Sequence, residues 1–117
     1  MHVKKIRIFL LTGCTIQNVN ENVETISIED CVGRRVQIPA KIDRIAALDS
    51  FSAEALVMTE AADKMVCCPR GVKSDEILQK IDSGLSEKAV VQSGGSINAE
   101  ALLKLNPDVI LIKNGLY

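Results

Sequence analysis

Apolar positions along the chain come in short runs separated by turn formers and helix-capping residues. Between Val23 and Pro39, the residues Val23, Ile26 and Ile28 lead into Asp30-Cys31-Val32-Gly33, after which Val36 and Ile38 alternate with Gln37. Period-two alternation on either side of a glycine turn reads as a β-hairpin. Pro39 ends it, because proline has no amide to give to a strand ladder. Beyond Pro39 the rhythm changes. Apolar runs at Arg44 to Asp49, Lys64 to Cys68, Ala89 to Val91 and Asp108 to Lys113 alternate with helix candidates from Ser52 to about Ala62, Ser74 to about Asp82 and Asn98 to Leu105. Ser52, Ser74 and Asn98 are N-cap residue types, each followed within two residues by an acid (Glu54, Asp75 with Glu76, Glu100). An accepting side chain and a nearby carboxylate suit the free N–H groups and the positive end of a helix.

Strands alternating with helices predict βαβ units. The fold class is therefore α/β, a Rossmann-like parallel sheet with flanking helices and right-handed crossovers, preceded by the hairpin. Ligands on such sheets lie beyond the carboxyl ends of the strands. Those ends are Asp49-Ser50-Phe51, Cys68-Pro69-Arg70-Gly71, Gln92 to Ser96 and Lys113-Asn114-Gly115.

The start of the chain reads differently. Lys4, Lys5 and Arg7 precede the apolar run Ile8 to Leu11, which closes on Leu11-Thr12-Gly13-Cys14. A basic stretch, an apolar stretch and small residues in that order make a secretory signal. The closing tetrad resembles the lipobox of bacterial and archaeal lipoproteins, in which the cysteine is acylated and becomes the first mature residue. On this reading residues 1–13 are a signal peptide taking no part in the fold, Cys14 is the lipid attachment site, 14–22 is a polar tether and 23–117 is the folded lobe. The other reading is an N-terminal β-strand from Val3 to Leu11 that happens to precede a cysteine.

Charge then sharpens the picture. The 117 residues carry 14 basic and 15 acidic groups, a net charge of −1. Binding of nucleic acid through a bulk positive field is excluded. Loss of residues 1–13 removes Lys4, Lys5 and Arg7, leaving 11 basic against 15 acidic groups, a net −4, and removes His2, the single histidine. A metal site that relies on imidazole is then unavailable, and no cofactor is expected. Without a catalytic histidine, a nucleophile–base pair or a carboxylate dyad at a strand end, the chain does not read as an enzyme.

The order Asp30-x-x-Gly33-Arg34-x-Val36-x-Ile38-Pro39, then Arg44-Ile45-Ala46-Ala47-Leu48, then Ala62-Asp63-Lys64-Met65-Val66, then Gly94-Gly95 ahead of Asn98-x-Glu100-Ala101-Leu102-Leu103-x-Leu105-x-Pro107-Asp108-Val109-Ile110, resembles the substrate-binding lipoproteins of iron-siderophore, haem and cobalamin ABC importers. The likeness runs from about Ile26 to Asn114. It implies an extracytoplasmic, lipid-anchored, non-enzymatic binding protein that serves permease and ATPase subunits. It also implies two lobes clamping a metal chelate, of which this sequence matches the N-terminal one, with the C-terminal lobe absent from the chain.

Seven residues at the strand ends are candidates for a ligand-binding cleft. Ser50 and Phe51 follow the first parallel strand; the phenyl ring either stacks on a chelate or caps the core beneath the first helix. Arg70 offers a guanidinium to an anionic chelate, and Lys113 an ammonium; a solvated loop side chain is the plainer account of each. Gly94, Gly95 and Ser96 stand just ahead of a helix, where backbone N–H groups can cradle an anion; the plainer account is a flexible turn. Cys31, Cys67 and Cys68 read as small buried hydrophobes, with a bridge from Cys31 to one of the pair chemically permitted. Two other classes stay open: a small intracellular α/β domain binding a phosphorylated ligand with a reactive Cys67 or Cys68, and a single-lobe scaffold with no small-molecule ligand.

Overall fold

The computed structural model describes residues 2–4 and 22–113. Its centre is a four-stranded sheet. Three strands, β4 (Ile45–Ala47), β5 (Met65–Cys67) and β8 (Val109–Ile112), run parallel, and β1 (His2–Lys4) lies antiparallel on the outer edge of β8, giving the order β1-β8-β4-β5. The expected hairpin forms from β2 (Thr25–Glu29) and β3 (Arg35–Pro39) in the register Ile26↔Ile38 and Ile28↔Val36. Gly33 takes the left-handed conformation its turn needs, at φ +80°. The Asp30 carboxylate braces the same turn, accepting from the Val32 and Arg34 amides at 3.0 and 2.9 Å and from Arg34 Nε at 2.9 Å.

Alternation along β4 divides the interior into two layers. Ile45 and Ala47 face a cluster with Ala53, Leu56 and Val57 of α1 (Ser50–Met58), Met65, Cys68, Val72 and Leu85, onto which Ile28, Val36 and Ile38 of the hairpin pack. Ala46 and Leu48 face a second cluster with Cys67, Val91, Ile110 and Leu102 of α4 (Ala99–Lys104). Helices thus cover both faces of the parallel strands, as an alternation of buried strands and amphipathic helices requires.

The element boundaries differ from the sequence expectation in three places. Asp49, not Ser52, caps α1: its Oδ1 accepts from the Ser52 amide at 2.9 Å and its Oδ2 from the Ser52 hydroxyl at 2.6 Å, and both residues are buried. The second helix begins early as α2 (Arg70–Lys73), breaks at Ser74 and resumes as α3 (Glu76–Ile81), capped by Asp75, whose Oδ1 accepts from the Ile77 and Leu78 amides. Asn98 caps α4 as expected. The run Ala89 to Val91 makes no full strand; Ala89 bridges Cys67, and its amide and carbonyl engage Val66 O and Cys68 N at 3.3 and 3.1 Å.

The first residues of the chain were expected to stay out of the fold, yet His2–Lys4 joins the central sheet as β1, paired His2↔Ile112, Val3↔Leu111 and Lys4↔Ile110. The rest of the proposed signal and tether, with its apolar run and Cys14, lies outside the described residues. Among the described residues, no helix is long and apolar enough to cross a membrane.

Candidate functional site

Because β4, β5 and β8 are parallel, their carboxyl ends share one edge of the sheet, and the strand order reverses at β4, which has β5 on one side and β8 on the other. A reversal of this kind leaves a crevice beyond the strand ends. Ser50 and Phe51 open α1 there, Arg70 opens α2 after β5, and Lys113 follows β8. All four are exposed.

Phe51 is 64% exposed and belongs to neither core cluster, so of its two readings the core cap is not what the structure builds. The buried Asp49–Ser52 pair beneath it supplies the rigid base: capping engages both carboxylate oxygens and fixes where α1 starts, hence where Phe51 is presented. Arg70 lines a hollow of about 260 Å³ with Lys73, Ser74, Gln79 and Ser86, and its guanidinium has no partner among the described residues. Lys73, by contrast, is engaged, with Nζ donating to Lys88 O at 2.9 Å.

Gly94 and Gly95 depart from the expected arrangement. They form the two-residue turn of a small hairpin, β6 (Gln92–Ser93) and β7 (Ser96–Ile97), with φ +56° and +84°. Two consecutive left-handed residues make the turn that matches strand twist. The glycines therefore do not lead straight into a helix as an anion cradle does. Asn98 intervenes, and its side chain already occupies the Ala101 amide of α4. Gln92, which the sequence did not single out, holds this hairpin against the strand ends: its Nε2 donates to Leu48 O at 2.6 Å. A buried carbonyl at the end of an apolar strand needs such a donor, but nothing in the local pattern names which residue provides it.

Among the described residues, Cys31 is exposed, and Cys67 and Cys68 are buried free thiols. Burial, followed by the neighbouring Cys68, pushes the Cys67 thiol up to about 11, and burial likewise raises Cys68 against the opposing pull of Lys73 and Lys88. Both stay protonated near neutrality, which is the state of inert structural cysteines. They sit in opposite core clusters. Among the described residues no three His, Cys, Asp or Glu side chains are grouped to hold a metal ion.

Taken together, the fold and this strand-end surface define one α/β lobe presenting loops, an aromatic ring and cations on one side. The chain belongs to the periplasmic binding protein family, whose model matches residues 45–116, from the first strand of the parallel sheet onward. The N-terminal hairpin precedes the matched region. No curated protein matches the chain. Family membership brings an extracytoplasmic solute-binding role in association with the permease and ATPase components of an ABC transporter, and members are generally binding proteins without enzymatic activity.

Proposed function

We propose that this lobe forms one wall of the binding cleft of a lipid-anchored importer component whose cargo is a chelated metal, such as a ferric siderophore, haem or cobalamin. The observation that carries the reading is the exposed Phe51 ring on the same sheet edge as Lys113 and the Arg70 guanidinium, which has no partner among the described residues. A planar or polycyclic chelate with anionic groups offers a face for the ring and acceptors for the cations. Capture proceeds without bond making: the strand-end loops contact the chelate, a facing lobe closes over it, and the loaded protein docks on its permease. Cys14 carries the acyl chains that keep the protein at the outer face of the membrane.

A half-cleft holds its ligand weakly, because binding must offset the lost freedom of the ligand with contacts from one side alone. Amide shift mapping by NMR therefore suits the question better than calorimetry. Titrating ferric chelates, haem and cobalamin into the labelled chain should move Ser50, Phe51, Arg70, Gly94 to Ser96 and Lys113. Shifts confined to other surfaces, or no shifts with any of the three, would sink the cleft reading. Intact mass of the membrane-associated protein tests the anchor: an unmodified Cys14 removes it. The alternative of an intracellular phosphate-binding domain draws less support, since its glycines form a hairpin turn and its proposed reactive thiols are buried.

A further inference from the structure

Leu48, the residue after β4, ties together the segments that make up the strand-end surface. Its amide donates to Leu111 O of β8 at 3.0 Å, and its carbonyl accepts from Gln92 Nε2 of the β6–β7 hairpin at 2.6 Å. The next residue, Asp49, caps α1 and so fixes where Ser50 and Phe51 stand. The candidate ligand contacts after β8, on α1 and in the hairpin therefore take their places from one buried residue.

The hairpin depends on that tie most. Its base is held by packing and by backbone: Val91 is buried, Ile97 joins the second core cluster, and the Asn98 amide donates to Val91 O at 2.8 Å. Its tip, residues 93–96, is exposed, and its ladder runs through Gln92↔Ile97 and Ser93↔Ser96. So short a ladder is marginal by itself. The lean of the tip over the strand ends is set by the side chain that reaches across to Leu48, an acceptor 44 residues away in the sequence.

We infer that Gln92 is a positioning residue of the ligand site: through Leu48 it holds Gly94, Gly95 and Ser96 at a fixed distance from Phe51, so that hairpin backbone and aromatic ring meet one ligand together. This role rests on the cleft reading above. Loops placed before the ligand arrives lose less freedom on binding than loops the ligand must order. The chemistry calls for a donor, which the glutamine amide supplies to the Leu48 carbonyl. Glutamate has the same shape, but its ionised carboxylate only accepts and would set oxygen against oxygen.

Gln92→Glu at neutral pH and Gln92→Met, each in the labelled full chain, test the role by NMR, with ferric chelates, haem and cobalamin titrated in turn. Amides of β4 report that the lobe stays folded. Without chelate, exchange of the Asn98 amide should rise about fivefold, the scale of one lost hydrogen bond, and the amides of 93–96 should gain fast motion. With chelate, shifts at Phe51 should persist, those at 94–96 should shrink severalfold, and half-saturation should move to higher concentration. A purely structural role would instead lower the response of both loops together, in step with the melting temperature. That proportional loss overturns the positioning role, as does a variant whose hairpin stays ordered and titrates like the parent. A parent chain that shows no shift with any of the three chelates overturns the cleft reading and this role with it.

Discussion

Arg44 and Asp108 clasp the start of β4 to the start of β8. The Asp108 carboxylate accepts from the Asp43 and Arg44 amides at 2.8 and 2.9 Å, the Asp108 amide donates to Arg44 O at 2.8 Å, and the Arg44 guanidinium donates to Leu105 O at the end of α4 through Nε and Nη2, at 2.8 and 2.6 Å. One arginine and one aspartate thereby satisfy backbone groups that a strand start and a helix end leave open. These residues belong to the stretches that carry the family resemblance, yet they stand at the end of the sheet opposite the carboxyl ends of the parallel strands, where they hold backbone groups together.

Asp108→Ala should lower stability by about 1–3 kcal/mol, since it removes two charge-assisted hydrogen bonds. Arg44→Met should cost a similar amount by freeing the Leu105 carbonyl. Combined, the two changes should cost less than the sum of the singles, because each disturbs the same junction. Urea denaturation of the four proteins measures the coupling; strict additivity would refute a shared clasp.

The Gly94–Gly95 turn separates a folding role from a binding role. A Cβ at either position meets nothing within 4 Å, so the whole cost of substitution is the left-handed backbone. Gly95→Val should therefore destabilise by about 1–2 kcal/mol, while Gly94→Asn should be nearly neutral, because Asn-Gly suits this turn. A Gly94→Asn protein that keeps its melting temperature but loses chelate-induced shifts would place the glycine in the ligand contact itself.

Phe51→Ala should leave stability within about 0.5 kcal/mol of the parent, as expected for an exposed side chain, and should weaken the response to metal chelates. Phe51→Tyr should retain it. A large fall in melting temperature would instead make Phe51 part of the core.

Alkaline pH should loosen the fold through Cys67. A thiol whose pKa rises on folding keeps its proton longer in the folded than in the unfolded chain. Its contribution is accordingly full below about pH 8.5, the ordinary thiol value, and is lost as pH climbs toward the folded value of about 11. The ceiling is about 3 kcal/mol at 1.36 kcal/mol per unit. Cys67→Ala should flatten the stability curve across that window in chemical denaturation; an unchanged slope would assign the loss to other groups.

Much of the fold is legible in the local pattern. The hairpin, the apolar strands β4, β5 and β8, the Asn98 cap and the opposite facing of Cys67 and Cys68 all follow from periodicity and turn chemistry, which act over a few residues. Of the site, the strand-end positions of Ser50, Phe51, Arg70 and Lys113 were readable for the same reason. The capping of α1 was misplaced because Asp49 and Ser52 are both competent caps three residues apart, and burial of the pair selects the one whose carboxylate can accept twice. For the glycines the plainer reading, a turn, is what the structure builds; two glycines suit a hairpin and an anion loop equally until Gln92 and Ile97 pair.

By itself, then, the sequence determined the class of fold, the order of its elements and the edge at which the carboxyl ends of the strands gather, since each depends on side-chain period and on residues with restricted backbones. Only the tertiary structure decided what joins those elements: the Gln92 amide reaching Leu48, the clasp between Arg44 and Asp108, and the pairing of His2–Lys4 with β8. These contacts link residues about 40 to 110 positions apart. Their selection depends on which buried polar groups and which strand edge remain unsatisfied once the layers have packed, and no short stretch of sequence records that.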